Sequence, residues 1–300
     1  MTVRRSQPIA EKVLSKIQRY QRSKVVDMKV FRAGKQTAEH MAQSVTTDAE
    51  LAKLPPAHAI YVYAQNRLSV MAEQLLMLKE LDRLSRTLGE ASELYTPVGP
   101  PMSPLTTSFY TCWSLFDVAA GLGKETLATI AMAVGRRMGM HEELLRLFGN
   151  MQASCMAIYR HEGIESDAII LRDLVTEQVF RVICAAGYQG KEGELWYVRV
   201  FPPPGPEFEE HVVFTTPYLL INPSESEWRA YFARTLPDGE PAQIQAAYTR
   251  HMKYGPSRLF WTEFVFEAFV NFRTDVIFLE GLPDVAESRP HSPVGLHNRH

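Results

Sequence analysis

The sequence predicts an α+β fold: a helical N-terminal domain, a small antiparallel β-sheet or barrel module, and a helical C-terminal region. Three observations carry that expectation. Helix-periodic sequence runs to about residue 160. Short alternating segments rich in Val, Ile, Phe, Tyr and Trp then follow, and helical patterning returns after residue 223. The boundaries expected are 1–160, 161–223 and 224–282, with an extended polar tail over 283–300. A β insert between helical regions requires at least two cores.

The first element expected is an amphipathic helix over 8–33. Pro8 suits a first turn, and Ile9, Val13, Ile17 and Tyr20 share a face. The stretch KVVDMKVF (24–31) also reads as a strand, because its apolar residues alternate. After Pro55-Pro56 comes the longest periodic run, a helix over 57–88. Tyr61, Ala64, Leu68, Met71, Leu75 and Leu78 keep a 3–4 spacing; Leu81, Leu84 and Leu88 continue it after a small phase shift. That stripe is expected to form the seam of a helical bundle. TPVGPPMSP (96–104) reads as a hinge, since proline disfavours helix before it. Helices are expected at 105–120, 124–138 and 141–160, separated by Gly121, Gly123 and Gly139.

Four strands are expected next: DAIILRDL (167–174), QVFRVIC (178–184), ELWYVRVF (194–201) and HVVFTTPYLLI (211–221). Their short, turn-rich separators predict an antiparallel meander, either an open sheet or one closed as a small barrel. Helices follow at 224–235, 241–253 and 256–271, opened by the capping-box pair Ser224/Glu227 and by Pro241 and Pro256. DVIFLEG (275–281) reads as one more strand.

Three hundred residues at 46% hydrophobic and 22% charged suffice for two compact domains. Cys112, Cys155 and Cys184 are odd in number and form no CxxC pair, which argues against a disulfide framework or a structural zinc site. Reduced thiols, no apolar run after the basic N-terminus and no long uncharged stretch give the expectation of a cytoplasmic protein without a membrane span.

Charge is segregated. Residues 1–35 hold ten Lys/Arg against two acids; the rest holds twenty-two against thirty-two. The basic segment, with Arg4, Arg5, Lys12, Lys16, Arg19, Arg22 and Lys24 as its candidate binding residues, suits either a nucleic acid or an acidic protein surface. Docking on the acidic body or on a partner is the preferred expectation.

Motifs for catalysis fail on spacing. GLGKET (121–126) lacks the upstream glycine of a phosphate loop and has Glu125 where Ser or Thr is needed. His141-Glu142 and His161-Glu162 lack the second histidine of a zinc protease. The acidic group His161, Glu162, Glu165, Asp167 reads as a solvated connector before it reads as a cation site. Arg136-x4-His141 fits the loose Arg-x(4–6)-His spacing of helical ribonucleases, which this composition yields about twice by chance. Asp27-Met28-Lys29 has only Glu11 upstream as a second carboxylate for nuclease metal chemistry. Arg136, His141, His161 and Glu162 thus stand as the weak catalytic candidates. Tyr188, Trp196, Tyr197, Arg172, Arg181 and Arg199 would suit a nucleic-acid platform, but residues 160–221 hold twice as many acids as bases.

The expected function is a non-catalytic interaction or adaptor protein, a subunit of a larger assembly, with no cofactor and no metal. Nucleic-acid association through residues 4–35 is the second expectation. A hydrolase or ribonuclease with its site at the helix–β junction is the third.

Overall fold

A computed structural model describes residues 7–22, 46–95 and 103–290. The described chain is α+β, with ten α-helices and one mixed sheet of eight strands. In chain order these are α1 (Ile9–Arg22), α2 (Asp48–Leu51), α3 (Pro56–Leu76), α4 (Asp82–Tyr95), α5 (Thr107–Cys112), α6 (Leu127–Arg137) and α7 (Glu142–Ala153). There follow β1 (Met156–Glu165), β2 (Ala168–Asp173), β3 (Val179–Cys184), β4 (Leu195–Phe201), β5 (His211–Val213) and β6 (Tyr218–Asn222). The series closes with α8 (Glu225–Thr235), α9 (Pro241–Tyr254), α10 (Phe260–Glu267), β7 (Phe269–Phe272) and β8 (Ile277–Glu280). Two compact units result. One runs to Glu90 and adds Trp113–Ala153; the other takes Ala91–Cys112 and everything from Ser154.

The first unit is helical. Pro56 opens α3, where a missing N–H costs nothing. Tyr61, Ala64, Leu68, Ala72 and Leu75 bury one stripe of it. The expected single helix over 57–88 is in fact two: α3 stops at Leu76, a 3₁₀ turn occupies Lys79–Leu81, and α4 begins at Asp82. That break is the physical cause of the phase shift in the leucine pattern, and Leu81, Leu84 and Leu88 are buried beyond it. Ile130 and Val134 of α6 and Phe148 and Met151 of α7 complete this core. Thr126 caps α6 by accepting the Thr129 N–H at 3.2 Å, and its hydroxyl donates to Gln152 at 2.7 Å.

The second unit is built on the sheet, whose strand order is β1-β2-β3-β5-β4-β6-β8-β7. β1 also pairs with β4, so the ladders β1–β2–β3–β5–β4 return to β1. β6, β8 and β7 continue outward from β4, so the sheet as a whole ends open at β7 and is not a closed barrel, one of the two forms expected. Nor is it purely antiparallel: β3 pairs with β5, and β6 with β8, in parallel. Covering β4 on all sides makes every one of its residues buried, Trp196 to Phe201 among them. Helices α8 to α10 bring Trp228, Tyr248, Trp261 and Phe264 onto this core. The Tyr248 hydroxyl accepts the Ile158 N–H at 3.2 Å, tying α9 to β1.

Three further differences have local causes. The expected helix over 141–160 ends at Ala153, and Met156–Tyr159 form the buried start of β1 because β4 supplies their partners. HVVFTTPYLLI splits into β5 and β6, since Pro217 has no N–H for a ladder. The expected helix over 256–271 is α10 followed by β7, whose Phe-Val-Asn-Phe sequence takes the edge of β8. Among the expected elements, KVVDMKVF, most of the hinge segment and residues 291–300 lie outside the described residues.

Candidate functional site

Of the weak catalytic candidates, His141, His161 and Glu162 are engaged in structural tasks. Arg136 lies exposed in the last turn of α6, which ends at Arg137. His141 sits beyond that end, where its Nδ1 accepts the Glu143 N–H at 3.3 Å and serves the start of α7. One continuous helical face therefore does not present this pair, as a ribonuclease would need.

His161 is fully buried beside the bulge in β1. Its Nδ1 accepts the Gly163 N–H at 3.1 Å, which leaves Nε2 as the donor to the Gln189 carbonyl at 2.9 Å. Backbone bonds from His161 to Glu194 and from Gly193 to His161 complete a clip that folds the 185–194 loop over β1. Gly190 closes the loop at φ +69°, and a Cβ there would fall 2.3 Å from the Trp196 ring. Both ring nitrogens being committed to backbone groups, His161 is a fastening.

Glu162 accepts Arg172 at 2.8 and 2.9 Å and also accepts Arg160. Arg172, then Arg160, pulls its carboxyl down to about 2. A general acid or base working near neutrality needs the opposite shift. Arg160 goes on to Glu225 at 3.5 Å, and Glu225 accepts Arg229 at 2.8 Å, so the group forms a surface ion-pair chain. Among the described residues no set of three His, Cys, Asp or Glu is placed to hold a metal ion.

The platform residues of the β segment present no open stacking face: the Tyr188 and Trp196 rings, 5.3 Å apart, are both buried. Trp196, Tyr197 and Arg199 are buried, and Arg199 donates to the Ser154 carbonyl at 3.1 Å. Arg172 is held by Glu162 and Arg181 faces Glu210 at 3.5 Å.

Of the basic N-terminal candidates, Lys12, Lys16, Arg19 and Arg22 lie on α1, while Arg4, Arg5 and Lys24 lie outside the described residues. α1 docks within its own unit. Ile9 and Ala10 N–H groups donate to the Glu125 carboxylate at 2.5 and 3.0 Å, Val13 is fully buried, and Lys16 meets Glu80 at 3.0 Å. The acid that disqualified GLGKET as a phosphate loop thus holds a helix start, where its charge suits the dipole. Lys12, Arg19 and Arg22 remain exposed.

One surface was missed by sequence reasoning. β7 pairs only with β8 and leaves its other edge without a strand among the described residues. Val270 and Phe272 on it are 39% and 49% exposed. The Phe272 N–H turns back to the Asn271 side chain at 2.8 Å and takes no part in a ladder. No charge or proline stands within the strand; shortness, at four residues, and a bulge at Val270 are the guards it has. The signal was the β-prone FVNF itself, hidden inside a segment with helical spacing.

Comparison with protein-family models, with curated proteins and with solved structures finds no match for this chain. Among the described residues no helix is long and apolar enough to cross a membrane.

Proposed function

We propose that the chain is a non-catalytic interaction protein, a subunit of a larger assembly, that receives a strand of a partner polypeptide along β7. The observation that supports this reading most is the apolar edge of β7 that no described strand covers. Its free edge and the exposed apolar pair Val270 and Phe272 suit strand addition, in which the Phe272 N–H would exchange its Asn271 partner for a main-chain one and alternate side chains give specificity. Expected locations in the cytoplasm, and a partner protein in place of a cofactor, belong to the same proposal.

The experiment is to place the edge guards that nature uses. Val270→Lys and Phe272→Lys together should leave the melting midpoint nearly unchanged, since exposed positions shift stability by about 0.5 kcal/mol or less. The native size of the protein in extract of its own cells, followed by light scattering, should fall from that of a complex to that of one chain. A wild-type protein that already migrates as one chain, or a complex that survives both lysines, overturns the reading.

A second reading has its own observation. Lys12, Arg19 and Arg22 face outward on the docked α1 and offer a basic stripe to a polyanion. Binding carried by them would fall steeply with salt, as phosphate contacts do.

A further inference from the structure

We propose that a cleft beside the start of β4 binds an organic cation, an ammonium or guanidinium group on an aliphatic stem, with Glu194 as its counter-ion. This goes beyond strand addition at β7 and stands on separate residues.

The cleft measures about 450 Å³, within the range of small-ligand sites. Buried Leu195, Leu219 and Leu220 and the exposed Ile221 at its rim make part of its lining apolar, and Glu194, Glu225 and Ser224 line it as well. Apolar lining suits a methylene stem, and a carboxylate without a cation suits a charged end.

Several carboxylates of this unit are already matched. Glu162 has Arg160 and Arg172, Glu225 has Arg160 and Arg229, Glu177 has Arg229, and Glu210 has Arg181. Glu194 is different. Its oxygens accept the Tyr188 hydroxyl at 3.1 Å and the Trp196 indole N–H at 3.1 Å, both neutral donors, and among the described residues it has no ion pair. These bonds fix the carboxylate without cancelling its charge. They use two hydrogens where an ionised carboxylate has about four acceptor directions, so capacity remains for a ligand N–H. Trp196 is fully buried, and Gly190 packs against both it and Glu194, so the anchor is rigid. Lys191 and Glu192, both exposed, also line the cleft.

Titration of the intact protein tests the assignment, followed by calorimetry and by methyl shifts of Leu219 and Leu220. The probes are 1,5-diaminopentane, agmatine and the blocked tripeptide acetyl-Gly-Arg-Gly-amide, with 1-pentanol and hexanoate as neutral and anionic controls. Saturable binding of a cationic probe is expected, with neither control binding. Glu194→Gln, which keeps shape and removes charge, should weaken it about tenfold or more. Ile221→Trp, at an exposed position of the rim, should block it without touching the core, and decides the matter if Glu194→Gln does not fold. Binding of the tripeptide alone assigns the ligand to a polypeptide; binding of the free amines as well assigns it to a small molecule. No saturable binding below about 10 mM, where affinity would be only a few kcal/mol, overturns the proposal. So does equal binding by the Glu194→Gln protein, or by hexanoate.

Discussion

The carboxylate of Glu125 accepts the backbone N–H of Ile9 at 2.5 Å, and the N–H of Ala10 beside it. A residue more than a hundred positions away thereby satisfies two of the donors that open any helix. With Val13 buried and Lys16 on Glu80, the basic α1 is part of its unit's surface.

Removing that cap should loosen α1 first. Glu125→Ala is expected to cost about 1.5–3 kcal/mol, the range for hydrogen bonds to a charged group, toward the low end because the site is half-exposed. Hydrogen exchange should accelerate across residues 9–22 while α3 stays protected. Unchanged exchange in α1 would show that Val13 alone suffices.

The broken seam makes a contrast of two leucines. Leu75, in the core of α3, should cost about 2–5 kcal/mol on truncation to Ala, whereas half-exposed Leu78 beyond the helix end should cost far less. Denaturant melts that give equal losses for Leu75→Ala and Leu78→Ala would contradict the break at Met77.

Gly190→Ala should destabilise by about 1–3 kcal/mol or more, because a strained φ and a clash with buried Trp196 act together. Gly139→Ala, at φ +80° with open space around it, isolates the backbone term and should cost about 1–2 kcal/mol. Equal losses at the two sites, read from urea midpoints, would remove the packing argument.

The pH dependence has a definite sign. Burial holds the His251 imidazole below its ordinary 6.5, with the Tyr231 hydroxyl 2.7 Å from Nε2. Burial likewise lowers His58 and His211. The unfolded chain takes up protons near 6.5 that the folded chain resists. Their contribution is therefore complete above that pH and is lost as pH falls through the folded values. Urea midpoints should drop between about pH 7.5 and about pH 5, and His251→Gln should shrink the drop. A midpoint that rises on acidification would contradict the burial of these rings.

Most of the fold was legible where the pattern is local. Pro56 and the Ser224/Glu227 capping box mark helix starts, and the turn-rich separators at 175–177 and 185–193 mark strand ends. What escaped depends on partners far along the chain. Met156–Tyr159 continue a helical-looking run and become a strand only because Trp196–Arg199 lie alongside. Phe269–Phe272 do so against Ile277–Leu279. The surface sites were hidden for the same reason. Glu194 gains its meaning from the indole of Trp196 two residues on and from the leucines of β6, and no spacing rule links them.

The central claim is that β7 meets a partner chain. A photo-crosslinking phenylalanine analogue installed at Phe272, activated in the protein's own cells, reports that contact directly. The expected result is one discrete adduct, a named polypeptide or a second copy of this chain, absent when the analogue stands at exposed Leu122. A protein that stays uncrosslinked at position 272, or that crosslinks there no more than at 122, would contradict it.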